Sequence, residues 1–191
     1  MLARACEFES RLRHRKSADT LFAECRRFLV IELSLETALP ELYTIGYEGV
    51  SQDALLQTLL FHDVQTLLDI RQLPQSRKPG LSKTALGLAA AERGIQYAHL
   101  RVLGTPRDIR YRRKIDHDEA AFREGFLEYL ATQDEAMSAL VTRAGQERCC
   151  LLCYEANVQE CHRLLVAERA HKMSGGILTA VHLAVVEHGA A

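Results

Sequence analysis

The chain has 191 residues, 48% hydrophobic and 26% charged, with 24 Lys and Arg against 25 Asp and Glu. A chain of that size buries about 70% of its surface, so a single globular domain needs no disulfide or metal staple to be stable. The formal net charge of −1 argues against a uniformly basic nucleic-acid binder, yet eleven basic residues face two acids between Arg71 and Lys114, a balance of +9 that leaves −10 elsewhere.

Residues 1–40 read as a helical appendage. From Ser17 to Leu39 the apolar residues Leu21, Phe22, Cys25, Phe28, Leu29 and Leu35 recur mostly at three-to-four spacing, which predicts one amphipathic helix ended by Pro40. No apolar run with a cleavage site opens the chain, and no stretch reaches the about 18 apolar residues of a membrane span. The expectation is a cytoplasmic protein without a membrane partner, its six cysteines reduced.

Residues 41–191 alternate β-rich and helical runs. Leu42 to Gly46 predicts a strand, followed by a helix that Ser51 caps and whose face is Leu55, Leu56, Leu59 and Leu60. Val64 to Ile70 predicts a second strand. A Pro-containing loop leads to a helix from about Ser82 to Arg93, stopped by Gly94, and Ile95 to Leu100 is a third strand. The polar segment from Arg101 to His117 is longer than a compact domain normally leaves unstructured, which predicts a functional loop or an embedded turn of helix. Within it "RYRRK", Arg110 to Lys114, either tracks a phosphate backbone with Tyr111 stacking on a base, or is a solvated segment paired to the acidic "DHDE" that follows. Helices are predicted near Glu119 to Ala131 and Asp134 to Ala144. The apolar run Arg148 to Glu155 predicts a central strand buried on both faces, Glu160 to Met173 a helix, and Gly176 to Leu183 a last strand.

Strands separated by helices imply βαβ units, hence a three-layer α/β/α domain around a mostly parallel sheet. Ligands of such sheets bind beyond the carboxyl ends of the strands. Those positions carry Asp69 and Arg71 with Arg77 nearby, then His99, then Cys153, Glu155, Cys161, His162 and Arg163. Arg71, Arg77 and Arg163, with Asp69 orienting Arg71, suit an anion, because guanidinium forks and free helix N–H groups both match phosphate oxygens.

Three chemistries fit "CYEANVQECHR". Cys161 at a helix start, beside Arg163, is a nucleophilic or redox thiol with Cys153 resolving and His162 or Glu155 carrying protons. Alternatively Cys153, Cys161, His162 and Glu155 hold a metal, or the cysteines merely pack while Arg163 binds an anion. The C-x7-C-H spacing matches no compact zinc pattern, and adjacent helical residues diverge by about 100°, so Cys161 and His162 chelate one ion only if the turn between them is not helical. On those grounds no metal ligand and no cofactor is assigned. Cys149 and Cys150 read as core packing and His182 as structural.

These residues resemble the domain-of-unknown-function 488 (DUF488) family. The resemblance is carried by "YTIGYEG" from Tyr43, "LLDIRQLPQSRKPGLSK" from Leu67, "YAHLRVLGTP" from Tyr97 and "CYEANVQECHR" from Cys153. It implies a shared α/β domain over about Leu42 to Leu183 and a site drawn from Asp69, Arg71, Arg77, Tyr97, His99, Cys153, Glu155, Cys161, His162 and Arg163. The family's activity is not established, so the resemblance supports a site without naming its reaction. Residues and charge together lead to an expectation of a phosphate-bearing ligand, a nucleotide or a nucleic acid. Arg71, Arg77 and Arg163 would hold its anion, and His99, Glu155 and Cys161 would act as acid, base or nucleophile. A thiol-dependent or metal-binding protein and a non-catalytic binding module are the alternatives.

Overall fold

A computed structural model describes residues 39–185. The helix predicted from Ser17 falls on residues outside that range. The described chain runs β1 (Glu41–Gly46), α1 (Gln52–Phe61), β2 (Thr66–Asp69), α2 (Lys83–Glu92), β3 (Gln96–His99), α3 (Arg107–Asp116), α4 (Glu119–Ala131), α5 (Asp134–Ala144), β4 (Cys149–Cys153), α6 (His162–Met173) and β5 (Thr179–Leu183). Among the described residues no helix is long and apolar enough to cross a membrane.

The five strands form one parallel sheet in the order β3-β2-β4-β1-β5. Strand β4 lies at its centre, and its sequence shows why: every residue from Cys149 to Cys153 is buried. Its side chains alternate, so Cys149 and Leu151 enter the apolar cluster of one face, and Cys150 and Leu152 that of the other. The first cluster is completed by α4, α5 and α6 through Phe126, Leu130, Met137, Leu140, Leu165 and Val166. The second is completed by α1 and α2 through Leu55, Leu56, Leu59, Leu86 and Ala90. This is the three-layer α/β/α arrangement. Leu60, expected on the packed face of α1, is instead mostly on the solvent side, because the buried stripe passes through Leu55, Leu56 and Leu59.

Local chemistry sets the element ends. The Ser51 hydroxyl accepts from the Ala54 N–H at 3.2 Å and starts α1, and the Asp118 carboxylate accepts from Ala120 and Ala121 to start α4. Gly94 ends the α2 segment with φ +77°, a conformation that costs glycine least. The Arg101 to His117 segment holds more structure than one turn: a 3-10 turn over Arg101–Leu103 and the ten-residue α3. Helix α3 has too few apolar residues to announce itself by periodicity.

The register brings Gly46 beside Cys153 and Asp69 between Leu152 and His99, so four strands finish along one edge. Strands β1 and β4 are neighbours, yet α1 leaves β1 for one face and α6 follows β4 to the other. Chain connections that part in this way open a crevice at the carboxyl end of the sheet.

Candidate metal centre and adjoining cavity

Cys153 closes β4, and the chain turns through Glu155 and a 3-10 turn, Val158–Glu160, before reaching Cys161. Cys161 is the N-cap of α6 with φ −117° and ψ 136°, so it is extended and not helical. His162 is the first helical residue. The condition under which Cys161 and His162 converge is therefore met, and the objection raised by their adjacency disappears. Ligand atoms of Cys153, Glu155, Cys161 and His162 all lie within 4.8 Å of one another. Each cysteine Sγ stands 3.0 Å from Glu155 Oε2, and Cys153 Sγ is 3.5 Å from His162 Nδ1.

The surroundings hold these groups in place. His162 Nε2 lies 3.2 Å from the carbonyl oxygen of Ile70 and donates to it, because a carbonyl can only accept. The Arg163 N–H donates to Cys161 Sγ at 3.5 Å. The Arg163 guanidinium, 1% exposed, donates to the carbonyls of Glu155 and Ala156, clamping the loop that carries Glu155. Gly46 makes room for that loop: a Cβ on it would stand 1.9 Å from the Glu155 carbonyl oxygen.

The protons answer to this geometry. Burial would raise the Glu155 carboxyl, but hydrogen bonds from the thiols of Cys153 and Cys161 hold it below the ordinary range. Burial pushes the Cys161 thiol up, and nearby Cys153 pushes it further. That direction is opposite to the favoured thiolate expected at a helix start, because desolvation outweighs the dipole at a residue 3% exposed. His162 is raised: its burial opposes charge, but Cys161 and Glu155 outweigh it. Cys149 and Cys150 are core residues, as expected, and burial, helped by the nearby Glu147 carboxylate, pushes Cys149 up to about 12.

The other predicted residues form a second polar group. Arg71, 5% exposed, donates from Nε to Asp69 Oδ1 at 2.8 Å and from Nη2 to Asp69 Oδ2 at 2.5 Å. Its Nη1 donates to the Tyr47 hydroxyl and to the Leu81 carbonyl. Tyr97 donates to Asp69 Oδ2, and His99 Nε2 lies 2.8 Å from the Arg71 carbonyl oxygen. Most donors of Arg71 are thus spent on the protein, and Nη1 and Nη2 of Arg163 go to its own loop, while its buried Nε has no partner among the described residues. Arg77 is exposed, and His99 is not among the four clustered donors.

A cavity of about 250 Å³ opens between the two groups. Cys153, Glu155 and His162 line it, so the donor cluster faces open space. Arg71 and Tyr47 form one side, and Arg110 and Arg113 reach it from α3. Arg113 is already engaged: it pairs with Glu119 at 2.8 Å, donates to the Glu160 carbonyl and lies over the Phe122 ring at 4.4 Å. The pairing of "RYRRK" with the acids downstream is therefore real for Arg113.

The family described as Domain of unknown function DUF488 matches residues 51–170, well over half of the chain. The chain belongs to the DUF488 family. No curated protein and no solved structure matches it.

In this DUF488 chain the matched segment carries all four clustered donors, the Asp69 and Arg71 pair and α3. Strand β1, with Gly46 and Tyr47, lies before it. Of the wall residues, Thr105 was not singled out from sequence, and Arg110 and Arg113 only as part of "RYRRK", not as members of the strand-end site. A signal was present: Arg110 and Arg113 are three apart, one face of a helix.

Proposed function

We propose that this DUF488 chain holds one divalent ion of the zinc class among Cys153, Glu155, Cys161 and His162. On this reading it uses the ion on a phosphate-bearing ligand, a nucleotide or a nucleic acid, in the adjoining cavity. The observation that carries the reading is the convergence of four ligand atoms within 4.8 Å. Two sulfurs and an imidazole select a borderline-soft ion over magnesium or calcium. Donors about 2.0 to 2.3 Å from a tetrahedral ion sit roughly 3.3 to 3.8 Å from one another; here three pairs stand at 3.0 to 3.5 Å and all lie within 4.8 Å, a spread that small side-chain shifts would close around an ion. The hydrogen bond from His162 Nε2 to Ile70 leaves Nδ1 as the coordinating lone pair, and such an outer partner is usual for a ligating histidine.

Access to the cavity favours a working centre over a purely structural one. Cys153, Cys161 and His162 supply three firm ligands. Glu155, half-buried and facing the cavity, would serve as a fourth ligand or as a carboxylate base beside the ion. A zinc ion brings the pKa of a bound water to about 7, which suits hydrolytic attack. The basic stretch from Arg71 to Lys114, which supplies the α3 wall, favours an anionic ligand.

Metal content of the purified chain and chelator-competition titration test the centre. We expect about one zinc per chain and a loss of affinity of at least a hundredfold in Cys153→Ser and His162→Ala, with circular dichroism reporting the fold. A chain that takes up zinc no more tightly than Cys161→Ser would end the reading. The phosphate part is tested by binding nucleotides and single-stranded oligonucleotides across a salt series, where a flat response to salt counts against it.

A further inference from the structure

We infer that Arg110 and Thr105 form an anion seat in the cavity, and that this seat takes the terminal phosphate of a small phosphomonoester. The inference rests on the reading of the cavity as a ligand site beside the metal, and it names the ligand class and the residues that select it.

The argument is an accounting of donors on the cavity wall. Arg71 spends its donors on Asp69, Tyr47 and Leu81. Arg113 gives Nε to Glu119 and Nη2 to the Glu160 carbonyl, and these bonds with the Phe122 contact fix its guanidinium in place. Arg110 is half-buried and lines the same cavity. Among the described residues its guanidinium has no hydrogen bond, ion pair or ring partner. A partly desolvated guanidinium without a partner is unfavourable, and an oxyanion bound by its planar fork relieves that cost.

Thr105 makes the second, independent observation. It is 7% exposed, it lines the cavity, and its hydroxyl has no hydrogen-bond partner among the described residues. Its oxygen is not among the fully enclosed atoms that lack a partner, so it is reached from the cavity and is free to bond a ligand atom there. Thr105 also stands two residues before the first residue of α3, the helix that carries Arg110. A guanidinium fork and a hydroxyl on one wall together offer several donors to a single oxyanion. A phosphomonoester, with three terminal oxygens, can accept from more of these donors than a carboxylate, with two.

Size narrows the class. The cavity, about 250 Å³, is below the roughly 300 to 1,000 Å³ of pockets for drug-sized ligands. A terminal phosphate with a short organic group fits that space, with its other end directed at the ion. The Glu155 carboxylate on the same wall opposes an anion, and an ion bound beside it would weaken that repulsion.

The test is isothermal titration of zinc-loaded protein with methyl phosphate, acetate and an oligonucleotide lacking terminal phosphates, with zinc content measured in parallel. Methyl phosphate is expected to bind, with affinity reduced at least tenfold in Arg110→Ala and several-fold in Thr105→Val, while zinc content stays at the wild-type level. Arg110→Lys, which keeps the charge and loses the fork, is expected to fall between wild type and Arg110→Ala and guards against a folding artefact. No methyl phosphate binding, equal binding by wild type and Arg110→Ala, or acetate or the oligonucleotide binding as tightly as methyl phosphate would each overturn the inference. If the wild-type chain holds no zinc but still binds methyl phosphate through Arg110, the metal reading fails and the seat stands.

Discussion

The ring nitrogen Nε2 of His162 donates to the backbone carbonyl of Ile70 at 3.2 Å, and that contact decides which nitrogen faces sulfur. With the proton fixed on Nε2, the lone pair of Nδ1 points toward Cys153 Sγ, 3.5 Å away. The bond ties the end of β2 to the first turn of α6, so the ligand is oriented by the sheet itself. The neutral ring in zinc-loaded protein is therefore expected to be the Nε2–H tautomer, which long-range nitrogen–proton NMR of labelled His162 reports directly. A ring protonated on Nδ1 in the loaded protein would remove His162 from the ligand set.

The metal-free chain should weaken as pH rises. His162 is raised above its ordinary value of 6.5 and Cys161 above 9.0. A raised folded-state pKa gives stability that is full below the unfolded value and lost as pH climbs through the folded one. The His162 contribution thus begins to fade above about pH 6.5 and that of Cys161 above about 9. Glu155, held low, acts in the other direction only in acid, losing its contribution as pH falls through its folded value. Urea titrations of metal-free protein between pH 6 and 10 should show the decline, and zinc-loaded protein should not follow it, because bound ligands have already lost their protons. Over the same range Cys161 of the metal-free chain should alkylate more slowly than a model thiol. Faster alkylation would restore the nucleophilic reading.

The Asp69 and Arg71 pair predicts a large structural effect with little chemistry. Asp69 is fully buried and accepts from both the guanidinium and the Tyr97 hydroxyl. Asp69→Ala strands a buried guanidinium and should destabilise the fold by about 3–5 kcal/mol. Tyr97→Phe removes one neutral donor from an ionised acceptor and should cost about 1.5–3 kcal/mol. Denaturant midpoints measure both. A Asp69→Ala chain as stable as wild type would mean that the pair contributes nothing, and would reopen Arg71 as a ligand contact.

What the sequence made legible was what periodicity and caps encode. The run Cys149 to Cys153 announces a strand buried on both faces, and Ser51 and Gly94 mark helix ends by their own chemistry. The donor cluster was visible as residues but not as geometry. Cys161 and His162 are neighbours, and only the extended backbone of Cys161 turns their side chains toward one point. Helix α3 was hidden because it is held by polar contacts of Arg113 and not by an apolar stripe. The arginines were misleading for a related reason: a guanidinium at a strand end can bind an anion or brace the protein, and only the position of its partners separates the two. Arg71 and Arg163 brace it here.

Gly46 offers the sharpest separation of metal binding from fold. It stands at the end of β1 beside Cys153, and a Cβ there would lie 1.9 Å from the Glu155 carbonyl oxygen and 3.1 Å from Ala156 Cα. Those obstacles are backbone, which cannot swing aside as a long side chain can. Gly46→Ala must displace the loop that Arg163 clamps, and Glu155 and Cys161 move with it. Overpacking of this kind costs about 1–3 kcal/mol, so the sheet should survive. Zinc affinity should fall at least tenfold in the same variant, read by chelator competition, while the far-ultraviolet spectrum keeps its wild-type form. A control is Cys150→Ala, in the same central strand but on the α1 and α2 side of the sheet. It should lose comparable stability through a small cavity and leave zinc affinity unchanged. If both variants lose zinc in proportion to their loss of stability, the loop geometry is not what holds the ion. If Gly46→Ala alone loses it, the close approach of β1 to Glu155 is part of the centre.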